Sequence, residues 1–531
     1  MKRFIIFLFF IFSFSFAQTT QDLVGRLILM GFKGDTAPID QLLKYKPAGF
    51  VLYPSNISST QNTRTMLANL QASVDYPLLF ALDQEGGPFS AYRVDNATIF
   101  PSNMAIAATN NIEFAKQKGQ LIGQEIAYAG FNLNFAPVVD VNINPDNPII
   151  GMRSFGANVN TVSNYGVALL AGLKSSGIAG VAKHFPGHGD TVTDSHLALP
   201  VVMGSRDRLD AVELAPFKAM IAADVPAIMT AHVIFPEFDK DYPATLSKTV
   251  LTDLLRTELG FKGMIITDHM DMNAIANNYG AGEAAVMSIV AGADVVMIGY
   301  REEKQAEVYN ALLEAVLSGR ISQKRLLDAV GHSSSLANSY KSNLNRPLPD
   351  YHMDQASAEQ QALQAATLLT NDGILPIKVD SKLLVISPYI KRIKAVPALA
   401  NNLAYYYPTN SIDISIEPSN IEIAVAVEAA KDADLVVLAN YHFRGKFLES
   451  WIRLEQALIN TNKPLVVLAL GNPDDIRYYK AKPNAYLALY GFDDSNLKAA
   501  REILSGNALP QGKLPMGFEG FNFGFGLEDF K

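Results

Sequence analysis

The chain of 531 residues contains no cysteine. It can form no disulfide, no thiolate metal site and no lipid anchor on an N-terminal thiol. Charge is also sparse. Asp, Glu, Lys and Arg make up 18% of residues and the formal net charge is −8. No long basic run appears anywhere, which argues against a nucleic-acid partner, since a phosphate backbone demands clustered Lys and Arg. The one strongly apolar stretch, Phe4 to Phe12, is too short to cross a bilayer as a helix. Lys2 and Arg3 precede it, and Ser13, Ser15 and Ala17 follow. The segment 1–17 therefore reads as a secretory signal peptide cut after Ala17, leaving an exported chain, periplasmic or extracellular, near −10 and without a transmembrane segment.

What is present is a large, well-cored polypeptide. Hydrophobic residues reach 49%, and the length suits one large and one medium domain. Eight β-rich runs occur before residue 340: 27–31, 49–53, 78–83, 131–140, 178–184, 225–232, 263–268 and 294–299. Most are continuously apolar rather than alternating, as in strands buried on both faces. Amphipathic segments lie between many of them, among them 163–175, 209–223 and 281–291. Eight βα units in about 320 residues predict a TIM (β/α)8 barrel over 18–340, with a doubly wound open sheet as the alternative. Residues 341–350 are polar and Pro-containing and read as a linker. Five further runs, 383–387, 411–416, 434–440, 465–470 and 485–490, predict a smaller α/β sandwich domain with a mainly parallel sheet over 351–531.

Polar residues fall where such a barrel needs them. Asp83 ends the third run, Lys183 and His184 the fifth, His232 the sixth and Asp268 the seventh. Strand C-termini form the active-site face of a TIM barrel, so these side chains are expected to converge. The segment 183–196 (KHFPGHGDTVTDSH) is the densest, with three histidines and two aspartates before a Gly- and Pro-rich background. A His184–His188 metal pair would need a helix, which Pro186 and Gly187 oppose, so no metal is expected. Asp194 and His196, two apart, can point the same way from an extended loop. A carboxylate bonded to an imidazole orients it and raises its basicity, which suits proton transfer.

These residues resemble family 3 glycoside hydrolases, in particular the bacterial β-N-acetylglucosaminidases that cleave GlcNAc from peptidoglycan fragments. The resemblance rests on 82–87 (LDQEGG), 152–156 (MRSFG), 183–189 (KHFPGHG) with 194–196 (DSH), 229–232 (MTAH), 243–247 (PATLS) and 260–268 (GFKGMIITD). Segments 368–375, 466–472 and 512–515 are similar to the C-terminal domain of two-domain members. The resemblance implies that Asp268 is the nucleophile and that His196, held by Asp194, is the acid/base. It implies that Asp83, Arg153, Lys183 and His184 bind the terminal sugar, with His232 and Arg93 as the further substrate-binding candidates, and that no cofactor is needed. The substrate implied is a GlcNAc-containing oligosaccharide or muropeptide from peptidoglycan or chitin. Asp271 is the competing carboxylate one turn beyond Asp268. Two departures stand out. The family follows its Asp-Gln-Glu-Gly-Gly turn with arginines, whereas this chain runs Gly87-Pro88-Phe89 and offers only Arg93, displaced by two residues. His269 stands where the family often has aspartate. A β-glucosidase-type enzyme, a GlcNAc phosphorylase and a non-catalytic sugar-binding protein remain the alternatives.

Overall fold

The computed structural model describes residues 19–94, 96–194, 199–389, 395–442 and 447–531. The expected signal peptide lies outside them. Eight parallel strands close into a barrel: β1 (Ile28–Met30), β2 (Gly49–Val51), β3 (Leu79–Leu82), β4 (Leu133–Asn134), β5 (Ala179–Phe185), β6 (Ala227–Thr230), β7 (Met264–His269) and β8 (Val295–Ile298). Strand β1 pairs with both β2 and β8, which completes the ring. One set of strand side chains, including Leu29, Val51, Ala81, Val181 and Ile266, fills the barrel. The alternate set, including Ile28, Phe50, Phe80 and Leu82, packs outward against the helices. Both faces are dry, which is why the strands are written as unbroken apolar runs. Each fully buried Val, Leu, Ile or Phe side chain among them contributes about 1.5–3 kcal/mol relative to exposure.

Two elements differ from expectation. The fourth run, expected over 131–140, is a ladder of only two residues. Asn132 and Asn134 flank Leu133, and their side-chain amides bond the backbone of β3 and of the hairpin after it: Asn132 accepts from Phe80 N (2.7 Å) and Asn134 from Gln84 N (3.0 Å). Pro137 has no N–H to donate. The single helix expected over 209–223 is two, Arg206–Ala211 and Leu214–Ala222. Pro216 cannot donate to Val212 O, and its ring crowds that carbonyl, so the helix breaks one turn earlier.

Residues 341–350 form no helix or strand. Beyond them lies a six-stranded sheet: β9 (Thr367–Asn371), β10 (Leu383–Pro388), β11 (Thr409–Ile414), β12 (Leu435–Asn440), β13 (Leu465–Ala469) and β14 (Ala485–Ala488). Its order is β9-β14-β13-β12-β10-β11. Five strands are parallel. The sixth, β9, is an antiparallel edge absent from the sequence count. Helices cover both faces.

The two domains share a core. Met104, Ala105, Ala108 and Met152 of the barrel belong to the same apolar cluster as Leu438, Trp451 and Leu514. Main-chain bonds stitch the boundary: Ala157 N to Pro515 O (3.1 Å) and Lys513 N to Ala108 O (2.8 Å). Gly156, with φ 124°, touches Pro515 so closely that a Cβ would lie 2.1 Å from its carbonyl oxygen. Only glycine fits there. Among the described residues no helix is long and apolar enough to cross a membrane.

Candidate active site

Asp83, Arg153, Lys183, His184 and Asp268 meet at the C-terminal mouth of the barrel, lining a cavity of about 170 Å³. All its lining residues come from the barrel, none from the second domain. Lys183 and His184 sit inside β5, joined by a cis peptide bond. Arg153 comes from a short 3-10 turn, Gly151–Arg153.

A buried carboxylate that sequence reasoning passed over organises the cationic side. Glu85, in a hairpin directly after β3, accepts from Arg153 Nε (3.0 Å) and Nη2 (2.8 Å) and pairs with Lys183 Nζ at 2.6 Å. Burial alone would raise the Glu85 carboxyl. The two adjacent cations outweigh that and bring it down to about 2. Lys183 also holds Asp83 at 2.6 Å, and Asp83 remains 44% exposed at the pocket rim. Desolvation works against the Lys183 ammonium, but Asp83 and Glu85 keep its affinity for a proton above the ordinary lysine value. The result is alternating fixed donors and acceptors of the kind that recognise sugar hydroxyls.

Asp140 is the second group missed. It is fully buried and gathers three bonds, from His184 Nδ1 (2.8 Å), His184 N (3.2 Å) and His188 N (2.7 Å). His184 Nδ1–H therefore donates to Asp140, and Nε2 faces Arg153 Nη2 at 3.4 Å. Burial opposes the Asp140 charge, but His184 holds its carboxyl below the usual range. His188 lines the pocket too. Burial first, and then its neighbour His184, push it down to about 4, so it is neutral at physiological pH.

Asp268 ends the site on the far wall. Its Oδ1 accepts from His269 N at 2.8 Å. Burial would raise its pKa, yet His184, His232, His269 and the His269 amide together carry it well below the usual carboxylate range. The carboxylate is thus ionised at neutral pH, fit to attack rather than to donate a proton. His232 lies beneath the pocket. It bonds the His269 carbonyl (3.0 Å) and Thr245 Oγ1 (2.8 Å), and burial keeps it neutral by lowering its pKa. It fixes the backbone that carries Asp268.

The remaining sequence candidates are placed differently. Arg93 turns away from the cavity. It donates to Asp493 of the second domain (3.0 Å), Ser90 O (3.1 Å) and Gly87 O. Asp271 is outside the cavity as well, facing Arg301 at 3.5 Å. Asp194 is half-buried on the loop after β5. His196 lies outside the described residues. That loop is tethered near both its ends by Arg208, which donates to Asp190 Oδ2 (2.7 Å) and Met203 O (3.0 Å) and pairs with Glu213 (3.0 Å). Among the described residues, one acidic-imidazole group has metal-like spacing: Asp294, Asp328 and His332. Asp294 precedes β8, at the opposite end of the barrel, and is already held by Arg256 and Arg325.

A closed parallel barrel, a paired α/β domain and a small polar pocket with an ionised strand-end carboxylate are the parts a glycosidase needs. The sequence profile of the "Glycosyl hydrolase family 3 N terminal domain" matches residues 19–336, and that of the "Glycosyl hydrolase family 3 C-terminal domain" matches 366–520. The chain is 31% identical over 482 residues to the Beta-hexosaminidase A of Pseudoalteromonas piscicida, covering 80% of this chain and 79% of that one. It is 36% identical over 265 residues to a Beta-hexosaminidase of Vibrio cholerae, half of this chain and 78% of that one. A solved family 3 beta-N-acetylglucosaminidase from Paenibacillus sp. superposes with a TM-score of 0.89 at 34% identity, over 94% of this chain and 99% of the other. The chain belongs to glycosyl hydrolase family 3 and is a glycoside hydrolase.

Proposed function

We propose that this enzyme is an exported, retaining exo-β-N-acetylglucosaminidase that removes terminal β-linked GlcNAc from peptidoglycan or chitin fragments. The observation that carries the reading is Asp268, a half-buried and ionised carboxylate at a rigid strand end lining a pocket of one-sugar size. The hexosaminidase relatives and the Paenibacillus enzyme supply the sugar. The sequence run Asp194-Ser195-His196, the counterpart of the family's acid/base motif, supplies the donor.

In this mechanism Asp83, Arg153, Lys183 and His184 grip the hydroxyls of the terminal sugar. Arg93 is not part of this set. Asp268 attacks the anomeric carbon, and the bond to the leaving oxygen breaks as His196, oriented by Asp194, transfers its proton to that oxygen. The neutral imidazole then takes a proton from water, which attacks the glycosyl ester and releases GlcNAc and the Asp268 carboxylate. Most retaining glycosidases use a second carboxyl group about 5–5.5 Å away. An imidazole, with an intrinsic pKa of about 6.5, serves the same purpose near neutral pH.

Leaving-group dependence tests the roles. General acid assistance is worth roughly 10²–10⁴-fold for a poor leaving group and little for a good one. His196→Ala and Asp194→Ala should therefore cripple hydrolysis of a GlcNAc disaccharide while sparing the first turnover of dinitrophenyl-GlcNAc. Asp268→Ala should lose both. Equal losses on the two substrates for His196→Ala would remove His196 as donor. The same assays run with phosphate would reveal phosphorolysis as GlcNAc-1-phosphate.

A further inference from the structure

Among the described residues the second domain lines no part of the sugar pocket. One of its turns nevertheless grips the barrel loop that shapes that pocket. The turn is the 3-10 segment Pro473–Tyr478, just beyond β13. Arg477 Nη2 and the Tyr478 hydroxyl both donate to Asp146 Oδ1, on the barrel loop after β4. Arg477 Nη2 also donates to the Tyr478 hydroxyl (2.7 Å), and Arg477 Nε pairs with the buried Asp474 at 3.0 Å. The Tyr478 ring stacks on Phe447, with centroids 5.8 Å apart at 21°. Both donors are thus fixed from their own side before they meet Asp146.

The contact matters because of what Asp146 is joined to. Its N–H donates to Asn144 Oδ1 (3.0 Å), and Asn144 Nδ2 donates to Thr191 O (2.9 Å). Next in sequence, the fully buried Asn147 donates through Nδ2 to His188 O (2.9 Å) and to Thr191 Oγ1 (3.3 Å). Asn147 Oδ1 accepts from the amides of Ile149 (2.9 Å) and Ile150 (2.8 Å). The arc 144–150 therefore holds two things. One is residues 188–191, the root of the loop after β5 that runs on to Asp194. The other is the pocket wall, through Ile149 and through Ile150 O, which accepts from Arg153 N (2.9 Å). His188 and Thr191 are buried, so a displaced arc would leave their carbonyls without partners. Arc and loop root are held to move together.

We propose that Arg477 and Tyr478 are positioning residues for the hydrolysis, through which the second domain, by its grip on Asp146, sets the root of the β5 loop and with it the proton donor. The inference rests on the assignment of Asp194 and His196 made above. It gives the second domain a part in the reaction without a place in the pocket.

The test uses the full chain. Asp146→Ala removes the barrel's half of the grip at a side chain that is 32% exposed. Tyr478→Phe removes one of the two donors and keeps the ring on Phe447, so it remains decisive even if Asp146→Ala folds poorly. A misplaced donor costs most where the leaving oxygen needs a proton. Asp146→Ala should lower kcat for a GlcNAc disaccharide about tenfold and Tyr478→Phe about threefold, while KM and the first turnover of dinitrophenyl-GlcNAc stay within about twofold of wild type. A contact that only supports the fold, or only the sugar grip, predicts no such split. Equal losses on the two substrates, or wild-type rates on both, would overturn the proposal. His196→Ala run alongside separates the two levels of argument. If His196→Ala discriminates between the substrates and the two clamp variants do not, this inference alone falls. If His196→Ala itself fails to discriminate, the donor assignment falls and takes the clamp with it.

Discussion

Replacing Glu85 by Gln removes one negative charge from between two buried cations and changes almost no volume. The consequence can be worked from the site. In the folded protein the Glu85 carboxyl lies at about 2, against 4.5 when free. At about 1.36 kcal/mol per tenfold change in proton affinity, that difference corresponds to roughly 3 kcal/mol of folding stability at pH 7. The figure agrees in scale with the 3–5 kcal/mol typical of breaking a buried ion pair. Because the folded pKa is depressed, the contribution is complete above pH 4.5 and disappears as pH falls toward 2. At pH 3 it should have shrunk to about 1 kcal/mol. Denaturant unfolding followed by circular dichroism, at pH 7 and pH 3, measures this. The chain's one tryptophan, Trp451, sits in the second domain and would report on that domain instead. Glu85→Gln should also raise KM, because Lys183 and Arg153 lose their shared anchor. A variant as stable as wild type at pH 7, or a deficit undiminished at pH 3, would show that Glu85 does not carry this electrostatic load.

Two further outcomes follow from buried carboxylates. Asp140→Asn replaces an acceptor of three bonds by a group that must turn an NH₂ toward one of the donors, so His184 should shift and kcat/KM should fall about 10²-fold, with the melting temperature lowered; wild-type kinetics would refute the positioning role. Glu213, beside Arg208 under the Asp194 loop, is raised by burial to about 7 despite that arginine. Its folded pKa is above the free value of 4.5, so wild-type stability is full below pH 4.5 and declines as pH rises through 7, by up to about 3 kcal/mol. Glu213→Gln should therefore gain on wild type between pH 4.5 and pH 9 in thermal melts, and parallel curves would contradict this.

Much of the barrel was legible because its strands are dry on both faces. Such strands write themselves as apolar runs, and each run expected before residue 340 starts within two residues of an observed strand. The candidate pocket was legible at the run ends, where Asp83, Lys183, His184 and Asp268, which line it, and His232, which lies beneath it, stood out as polar residues closing apolar segments. Glu85 escaped because its partners are remote in sequence, with Arg153 lying 68 residues away. Only the folded chain brings them together. Asp140 closed the fourth run just as visibly as Asp268 closed the seventh, and it was the one terminal acid left without a role. Arg93 illustrates the opposite limit. Its spacing from the Gly-Gly turn suggested a sugar ligand, but the side chain is claimed by Asp493, 400 residues further on. Strand β9 was hidden for a different reason: an antiparallel edge of five residues contributes too little periodicity to be separated from the helix before it.

The shared core makes the linker less of a boundary than its composition suggests. A protease that cut residues 341–350 would sever the chain without freeing either half, since Met104, Ala105, Ala108 and Met152 would still be sealed against the second domain. Met152 is also the residue before Arg153. The second domain thus acts as a splint on the arm that grips the sugar, and wear anywhere along that splint, even at Pro515 or Leu514, would be felt as a loosened hold on a ligand it never touches.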